Sequence, residues 1–169
     1  MAIITLTTDL GYKDFYQAAL KGSILSQLPN ANIVDISHDA SAFNIPQAAF
    51  ILRNAFHYFP KGTVHLIGID SVFNEKTRYL ALKYREHFFV GSDNGIFSLL
   101  FEEEASEIVE LNIMQDLKYL HFPLSDIFPK AASHHSKISS QILLRKSLPM
   151  CSLIAILPCS LKETSRYHS

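Results

Sequence analysis

Cysteine is scarce in this sequence, and neither sign of charge dominates it. The two cysteines, Cys151 and Cys159, lie close together near the C-terminus of the 169 residues. One local pair is not the disulfide framework of a secreted domain, so a reducing compartment is expected and the protein is predicted to be cytoplasmic. The formal net charge of −1 gives no basic field for nucleic acid or an anionic membrane. Neither is an expected partner.

Long hydrophobic runs are missing as well. No apolar run approaches the roughly 20 residues that a membrane span needs. The N-terminus has no charged region, apolar core and cleavage site in succession, so no secretory signal is predicted. Apolar residues make up 48% and charged residues 18% of the chain, which is typical of a globular protein. The length suffices for one domain with a core of its own.

The motifs of several enzyme classes are absent. No G-x-G-x-x-G follows the first predicted strand, and no G-x-x-x-x-G-K-[ST] occurs anywhere. The Gly91–Gly95 loop has the wrong spacing and carries Asp93 where a phosphate would approach. There is no G-x-S-x-G nucleophile motif, no H-E-x-x-H, and no zinc spacing between the cysteines. The sequence therefore offers neither a phosphate-binding loop nor a zinc-binding motif.

What the first 70 residues do contain is an alternation of strands and helices. The patterns predict strands at residues 3–8, 32–36 and 63–69 and helices at residues 14–28 and 45–55. Asp14 is the expected N-cap of the first helix. The β-α-β-α-β order implies right-handed crossovers. The predicted fold class is therefore α/β, with a mostly parallel, Rossmann-like layered sheet and helices on both faces.

The second half of the chain has a different pattern. A hairpin is predicted from strands at 79–84 and 87–90, followed by a short helix at 96–101, a strand at 106–111 and a last helix at 125–135. The α/β domain is assigned to residues 1–136. Residues 137–169 form an atypical, serine-rich tail. One interpretation of this tail is that it results from a truncation or a frameshift.

Acidic and amide residues follow the predicted strands. They are Asp9, Asp39, Asp70, Asp93 and Asn94. Ligands of an open α/β sheet bind beyond the carboxyl ends of its strands, so we expect these side chains at one edge. Such a crevice suits a cation or a polyol, because one carboxylate can hold both hydroxyls of a ribose. The alternative is that each aspartate only forms a turn or caps a helix.

Several aromatic residues near these strand ends are candidates for stacking on a base. They are Tyr12, Phe15, Tyr16, Phe43 and Phe73. The alternative is that they belong to the core, as most aromatic side chains do.

Four ordered sequence blocks resemble one enzyme family. The blocks are Thr7-Thr8-Asp9-Leu10-Gly11 with Asp14 and Lys21-Gly22, Ile33-Val34-Asp35-Ile36-Ser37-His38, Phe59-Pro60-Lys61-Gly62-Thr63-Val64-His65-Leu66, and Val90-Gly91-Ser92-Asp93-Asn94-Gly95-Ile96-Phe97-Ser98. Together they look like the S-adenosyl-L-methionine hydroxide adenosyltransferases, relatives of the fluorinase and chlorinase enzymes. The resemblance runs from about residue 3 to residue 135, the N-terminal domain of that family.

The resemblance implies hydrolysis of S-adenosyl-L-methionine to adenosine and L-methionine by attack of water or hydroxide on the ribose C5′. It implies no metal or organic cofactor, because the leaving thioether is neutral. Asp70 and Arg78 would be catalytic, and Asp9 would hold the ribose hydroxyls. The further substrate-binding candidates are Asp14, Asp93 and Asn94. Rate enhancement would come from in-line positioning and from desolvation of the nucleophile.

The sequence departs from the family at three points. Residues 71–74 replace the usual Pro-Gly-Val-Gly after Asp70, and Arg78 stands one residue later than the family's arginine. Pro123 occupies the position of a histidine, and its side chain cannot transfer a proton. The family's C-terminal β-rich domain is expected to be absent, and impaired activity is expected. By resemblance, a full-length protein would form a homotrimer.

Two other functions remain open. One is a non-catalytic nucleoside-binding or trimer-forming module, which Pro123 and the missing second domain favour. The other is a metal-assisted phosphoesterase built on Asp9, Asp39, Asp70 and Asp93, since clustered carboxylates suit hard cations. Sparse positive charge for holding phosphate counts against the phosphoesterase.

Overall fold

Six strands and three α-helices make up the part of the chain that the structure describes. The computed structural model describes residues 3–70, 77–103, 105–111 and 124. The strands are β1 (Ile3–Thr8), β2 (Asn32–Ser37), β3 (Val64–Gly68), β4 (Tyr79–Tyr84), β5 (His87–Ser92) and β6 (Glu107–Leu111). The helices are α1 (Tyr16–Gln27), α2 (Ile45–Ala55) and α3 (Ile96–Leu100), and a 3-10 turn (Phe56–Tyr58) follows α2.

The strands form one sheet in the order β2-β1-β3-β5-β4-β6. β1 pairs in parallel with β2 and β3, and β3 pairs in parallel with β5. β4 runs antiparallel to both β5 and β6. The predicted fold class is therefore confirmed: a mostly parallel sheet with an added hairpin. The carboxyl ends of β2, β1, β3 and β5 meet along one side, which we call the carboxyl edge.

Helices cover both faces of the sheet because alternate residues of each strand point in opposite directions. Leu66 of β3 packs with Leu20 and Ile24 of α1 on one face. Its neighbour Ile67 packs with Leu52 of α2 on the other face. α3 joins the second layer through side chains that include Ile96, Phe97 and Leu100. Each crossover thus buries a helix and leaves the carboxyl edge to the connecting loops.

Local sequence explains where α2 and the hairpin begin and turn. The Asn44 side chain accepts a hydrogen bond from the Gln47 N–H at 3.0 Å, and Pro46 lies in the first turn of α2, where no N–H is needed. Arg85 and Glu86 connect β4 to β5 with φ values of 47° and 64°. Two positive φ values in a two-residue loop match the twist of a type I′ hairpin.

The prediction that Asp14 is the N-cap of α1 is wrong. The helix begins at Tyr16 with Phe15 as its N-cap residue, and no side chain caps it. Asp14 lies one residue earlier and its carboxylate accepts the Phe15 N–H at 2.7 Å. Because Phe15 already has helical dihedral angles, the carboxylate of Asp14 binds just before the helix instead of inside its first turn.

Among the later described elements, the largest difference from the predicted bounds is at the end of β5. β5 extends two residues beyond its predicted end, to Ser92, before the glycine-containing loop breaks it. The predicted last helix at 125–135 and the tail at 137–169 lie outside the described residues. Among the helices that the structure describes, none is both long and apolar enough to cross a membrane.

Candidate functional site

Asp9 joins three loops at the carboxyl edge. It follows β1 directly, and its Oδ2 accepts the N–H of Phe43 at 3.1 Å and that of Asp70 at 3.2 Å. Phe43 lies in the loop that leads into α2, and Asp70 follows β3. A single carboxylate oxygen therefore holds loops from three successive parts of the chain together.

Both residues bound by Asp9 have left-handed backbone conformations. The φ of Phe43 is 62° and that of Asp70 is 47°. Such values are unfavourable for residues other than glycine, persist only where the surroundings enforce them, and are common at functional sites. The Asp9 carboxylate supplies that enforcement, since each left-handed residue donates its N–H to it.

The other oxygen of Asp9 has no such task. Among the described residues, nothing donates a hydrogen bond to its Oδ1. Asp9 is only partly buried. A carboxylate in this state can accept hydrogen bonds from a ligand while its second oxygen maintains the loops.

Arg78 and Asp93 form a second pair on this edge. The guanidinium Nη2 contacts Asp93 Oδ2, and the Asp93 N–H donates to the Arg78 carbonyl at 2.8 Å. The antiparallel pairing of Tyr79 with Ser92 places these flanking residues side by side. The Arg78 side chain is 60% exposed. Its ion-pair partner is Asp93, and within the described residues it makes no ion pair with Asp70.

Asn94 reaches the same edge, but its amide is engaged with the backbone. Its Nδ2 donates to the Ile69 carbonyl at 3.0 Å, and its Oδ1 accepts the Ile96 N–H at 3.2 Å. Gly95, with φ of 92°, makes the turn between them. Asn94 therefore ties the end of β3 to the start of α3, next to Asp70.

Two predicted acidic residues are not drawn into this group. Asp14 is exposed and its carboxylate bonds only to the Phe15 N–H among the described residues. Asp39 is exposed as well, and its N–H donates to the Ser37 hydroxyl at 3.1 Å. Across the described part of the chain, no three histidine, cysteine or acidic side chains gather closely enough to hold a metal ion. The four carboxylates of the phosphoesterase hypothesis therefore do not form a cluster there.

Sequence reasoning missed a chain of polar side chains behind Asp9. We call Lys21, Asp35, His38 and Thr8 the buried polar chain. Lys21 Nζ lies 2.5 Å from Asp35 Oδ2, and Asp35 Oδ1 lies 3.1 Å from His38 Nε2. His38 Nδ1 lies 2.6 Å from the hydroxyl oxygen of Thr8. All four residues lie in the family-like sequence blocks, so the sequence marked them as candidates. Their spacing along the chain did not indicate that they contact one another.

The charge of Asp35 is stabilised within this chain. Burial raises the pKa of its carboxyl, but the hydrogen bonds and charges of Lys21 and His38 more than offset burial, so the pKa lies below its ordinary value. Asp35 is therefore an anion at neutral pH, wedged between an ammonium group and an imidazole.

Exposed aromatic rings lie in the loops beside Asp9. Tyr12 packs edge-on against the His38 ring, with centroids 5.2 Å apart, and Phe15 stacks on Tyr16 at 4.5 Å. Phe43, which Asp9 binds through its backbone, has 63% of its surface exposed. Tyr12, Phe15 and Phe43 are each more than half exposed, so these rings do not belong to the core. Phe73, the other predicted stacking residue of this group, lies outside the described residues.

A family comparison agrees with this arrangement. The model of the SAM hydroxide adenosyltransferase N-terminal domain matches residues 4–142 of the chain. An (R)-S-adenosyl-L-methionine hydrolase of Methanocaldococcus jannaschii is 39% identical over 106 residues, which cover 60% of this chain and 40% of that protein. A fluorinase of an Actinoplanes species is 31% identical over 139 residues, covering 66% of this chain and 47% of the fluorinase.

Solved structures show the same likeness. A conserved protein of Thermotoga maritima with no assigned function matches with a TM-score of 0.72 and 30% identity, over 80% of this chain and 53% of that one. The chain thus spans about half the length of its relatives, or less. Because the family model covers most of the sequence and the described fold agrees with it, the chain belongs to the SAM hydroxide adenosyltransferase family, through that family's N-terminal domain.

Proposed function

We propose that this chain provides the N-terminal half of a site that hydrolyses S-adenosyl-L-methionine to adenosine and L-methionine. The observation that carries the proposal is the Asp9 carboxylate, whose Oδ2 fixes the loop of Asp70 while its Oδ1 accepts no hydrogen bond from any described residue. Family membership and relatives that are named hydrolases of this substrate support it.

The chemistry of the substrate fits an acidic edge. The sulfonium is a cation, and Asp9, Asp70 and Asp93 place carboxylates along the carboxyl edge. In the proposed step, a water oxygen forms a bond to C5′ while the C5′–sulfur bond breaks and its electron pair stays on sulfur. The attacking water gives up one proton to the surrounding water, and adenosine and methionine, with its neutral thioether, result. No electron acceptor is required.

Each residue has a proposed role in this step. Asp9 Oδ1 accepts hydrogen bonds from the ribose hydroxyls, as a carboxylate can from adjacent donors. Asp70 orients the attacking water and accepts its hydrogen bond. The ion pair with Asp93 holds the Arg78 guanidinium at the carboxyl edge. There its positive charge offsets the negative charge of the neighbouring carboxylates. Asp14, Asp93 and Asn94 stay predicted substrate contacts, and Asn94 also fixes the loop at the end of β3.

Further features are proposed on the same basis. The 169-residue chain is expected to turn over more slowly than the Methanocaldococcus relative, of which the match covers 40%. We propose a homotrimer for a full-length protein and a cytoplasmic location, in line with the sequence analysis.

The test is an incubation of the chain with the (R) and (S) sulfonium epimers of S-adenosylmethionine, followed by chromatography for adenosine and methionine. We expect adenosine to form, and Asp70→Asn to slow its formation by on the order of 100-fold or more. Glu110→Gln makes the same change of charge at an exposed residue of β6 and is the control. Silence of both this chain and the Methanocaldococcus relative under the same conditions would end the proposal.

A second candidate is a nucleoside-binding module without catalysis. Pro123 in place of the family's histidine favours it, as do the available Asp9 oxygen and the exposed ring of Phe43. Calorimetry with adenosine then shows binding while the incubation yields no product. Undetectable binding at millimolar adenosine would remove this candidate.

A further inference from the structure

We infer that the buried polar chain of Lys21, Asp35, His38 and Thr8 positions the loop that carries Asp9. The inference concerns the geometry of that loop, so it holds whichever ligand Asp9 takes.

The chain of contacts crosses three secondary-structure elements. It starts on α1 with Lys21, passes through Asp35 of β2 and His38 just beyond β2, and reaches Thr8, the last residue of β1. The Thr8 hydroxyl then accepts the N–H of Leu10 at 3.3 Å. Leu10 is the residue after Asp9, so the series of contacts ends on the backbone of the candidate site.

Burial makes the inner contacts obligatory. Thr8 and His38 have no exposed surface, whereas the side chains of Lys21 and Asp35 keep 28% and 25% of theirs. A buried hydroxyl without a hydrogen-bond partner is costly, so the Thr8–His38 Nδ1 contact has little freedom to rearrange. His38 Nε2 and Asp35 Oδ1 face each other at 3.1 Å without hydrogen-bond geometry, so their contact is an electrostatic one. The charged end lies at the surface, where water can solvate the ammonium and carboxylate groups.

The order acid–imidazole–hydroxyl is that of nucleophilic catalytic triads, but Thr8 is not placed to attack a substrate. Its side chain is fully buried and its oxygen already lies against both His38 and the Leu10 N–H. Thr8 therefore acts through the backbone it holds, as a positioning residue.

The contacts of the His38 ring match the tautomer whose ring proton lies on Nε2. A carboxylate can only accept, and Asp35 Oδ1 lies 3.1 Å from Nε2, so a proton on that nitrogen suits the contact. In this tautomer Nδ1 accepts the hydrogen of the Thr8 hydroxyl at 2.6 Å, and the hydroxyl oxygen keeps a lone pair for the Leu10 N–H. The Lys21 ammonium contacts the other oxygen of Asp35 at 2.5 Å and so helps to fix the carboxylate beside His38.

His38 also holds the far side of the loop. Its backbone carbonyl accepts the Gly11 N–H at 2.8 Å, and Gly11 has φ of 68°. The loop from Thr8 to Gly11 is therefore bound to His38 twice, once by side chain and once by backbone. Asp9 lies between these two attachments, so their geometry sets where its carboxylate points.

The first test compares Thr8→Val with Thr8→Ser by amide hydrogen exchange of the 169-residue chain without ligand. Valine keeps the shape and removes the hydroxyl, and serine restores it. We expect exchange at Leu10 and Gly11 to quicken by about tenfold in Thr8→Val and to stay near the original rate in Thr8→Ser. Exchange in α2 is the internal reference. Equal rates at Leu10 and Gly11 in the two variants would overturn the inference.

The second test asks whether the effect travels from Lys21. Lys21→Met removes the charge, and Lys21→Arg keeps it. If the chain works as a unit, Lys21→Met quickens exchange at Leu10 by roughly twofold to threefold, and Lys21→Arg does not. Two results for Lys21→Met would contradict transmission through Asp35 and His38. One is faster exchange throughout α1, and the other is an unchanged exchange rate at Leu10.

These outcomes are separable from the proposed function. Adenosine affinity of the same variants is measured by calorimetry, and we expect Thr8→Val to weaken it by about tenfold while Thr8→Ser does not. Altered exchange with no adenosine binding in any variant leaves the positioning chain intact and rejects the ligand. If exchange is unaltered in Thr8→Val while adenosine binds normally, the positioning role is rejected and adenosine binding is retained.

Discussion

Two buried histidines of this molecule each pair with a threonine of β1, yet they end in opposite surroundings. At the carboxyl edge, His38 contacts Thr8 and then the Asp35–Lys21 ion pair. Nearer the amino ends of the strands, His65 Nδ1 lies 2.7 Å from the Thr5 hydroxyl and its Nε2 lies 3.2 Å from His87 Nδ1. One network leads to charge and the other to a second imidazole.

The surroundings of His65 keep it neutral. Its ring lies among the rings of Phe56, Phe59 and Phe89, with Phe89 stacked at 4.8 Å. Burial, together with the charge that His87 would carry, lowers the pKa of His65 to about 3. The same threonine–histidine contact thus lies within an apolar cluster where no anion is near, and within a polar chain that reaches the loop of Asp9 where one is.

The largest expected effect concerns acid. Folded His65 has a pKa of about 3, and the unfolded residue retains about 6.5, so below pH 6.5 the unfolded state binds more protons and stability falls as pH falls. The slope approaches about 1.4 kcal/mol per pH unit, so roughly 3 kcal/mol is lost between pH 6.5 and 4. Urea unfolding at several pH values measures it.

The control for this effect is the exposed His57 of the 3-10 turn. His57→Gln should retain the acid dependence, whereas a double variant of His65→Gln and His87→Gln should flatten it. An unchanged pH dependence of the unfolding free energy in the double variant would show that the folded state does not lower the pKa of His65. The apolar surroundings would then not be what keeps His65 neutral.

The next effect concerns the loop junction. Asp9→Ala leaves the Phe43 and Asp70 N–H groups without their acceptor, so we expect about 2 kcal/mol lower stability and adenosine affinity reduced by roughly 10- to 100-fold. Denaturant unfolding and calorimetry measure the two. The exposed Glu110→Ala is the matched carboxylate deletion and should change neither. Full adenosine affinity in Asp9→Ala would contradict the proposed role of its carboxylate.

A smaller effect on stability is expected from relieving the positive φ values, first in the Arg85-Glu86 hairpin turn and then at Phe43 of the site. Arg85→Asn with Glu86→Gly supplies residues that type I′ turns prefer, so we expect a gain of about 1 kcal/mol in unfolding free energy, less any loss of the Lys83–Glu86 contact. Adenosine affinity should not change, since the hairpin turn is remote from the carboxyl edge. Destabilisation would mean that the native turn residues make contacts worth more than the strain.

Phe43→Gly applies the same logic at the site. Glycine relieves the positive φ, and the ring is largely exposed, so we expect stability to rise by roughly 0.5 to 1 kcal/mol. Adenosine affinity should fall if the ring stacks on the base. A gain in both quantities would show that the Phe43 ring does not contribute to adenosine binding. Thermal unfolding and calorimetry on one preparation decide this.

Much of the fold was predictable from local patterns. The hydrophobic runs of β1, β2 and β3 alternate with helical stretches, and parallel strands place their carboxyl ends together whatever the details of packing. That is why Asp9 and Asp70 were expected at one edge, and their contact agrees with it. The polar pair Arg85-Glu86 similarly marked the hairpin turn.

Other features could not be read locally. The pairing of Arg78 with Asp93 depends on the register of β4 against β5. The left-handed conformation of Phe43 opposes residue preference, and it coincides with the hydrogen bond from its N–H to Asp9, which the sequence does not reveal. Asp14 was a reasonable cap by composition, but the first helical residues lie beyond its reach.

The sequence by itself determined the order of elements, the α/β class and the edge at which the acidic residues gather, because periodicity and chain direction act over short range. Only the tertiary structure decided which of those residues touch. Asp35 and His38 are three residues apart, but Lys21 meets Asp35 and Thr8 meets His38 only when α1, β2 and β1 pack together, and no spacing along the chain encodes those two contacts. The physical reason is that hydrogen bonds and ion pairs require matched distances of a few ångströms, which packing alone sets.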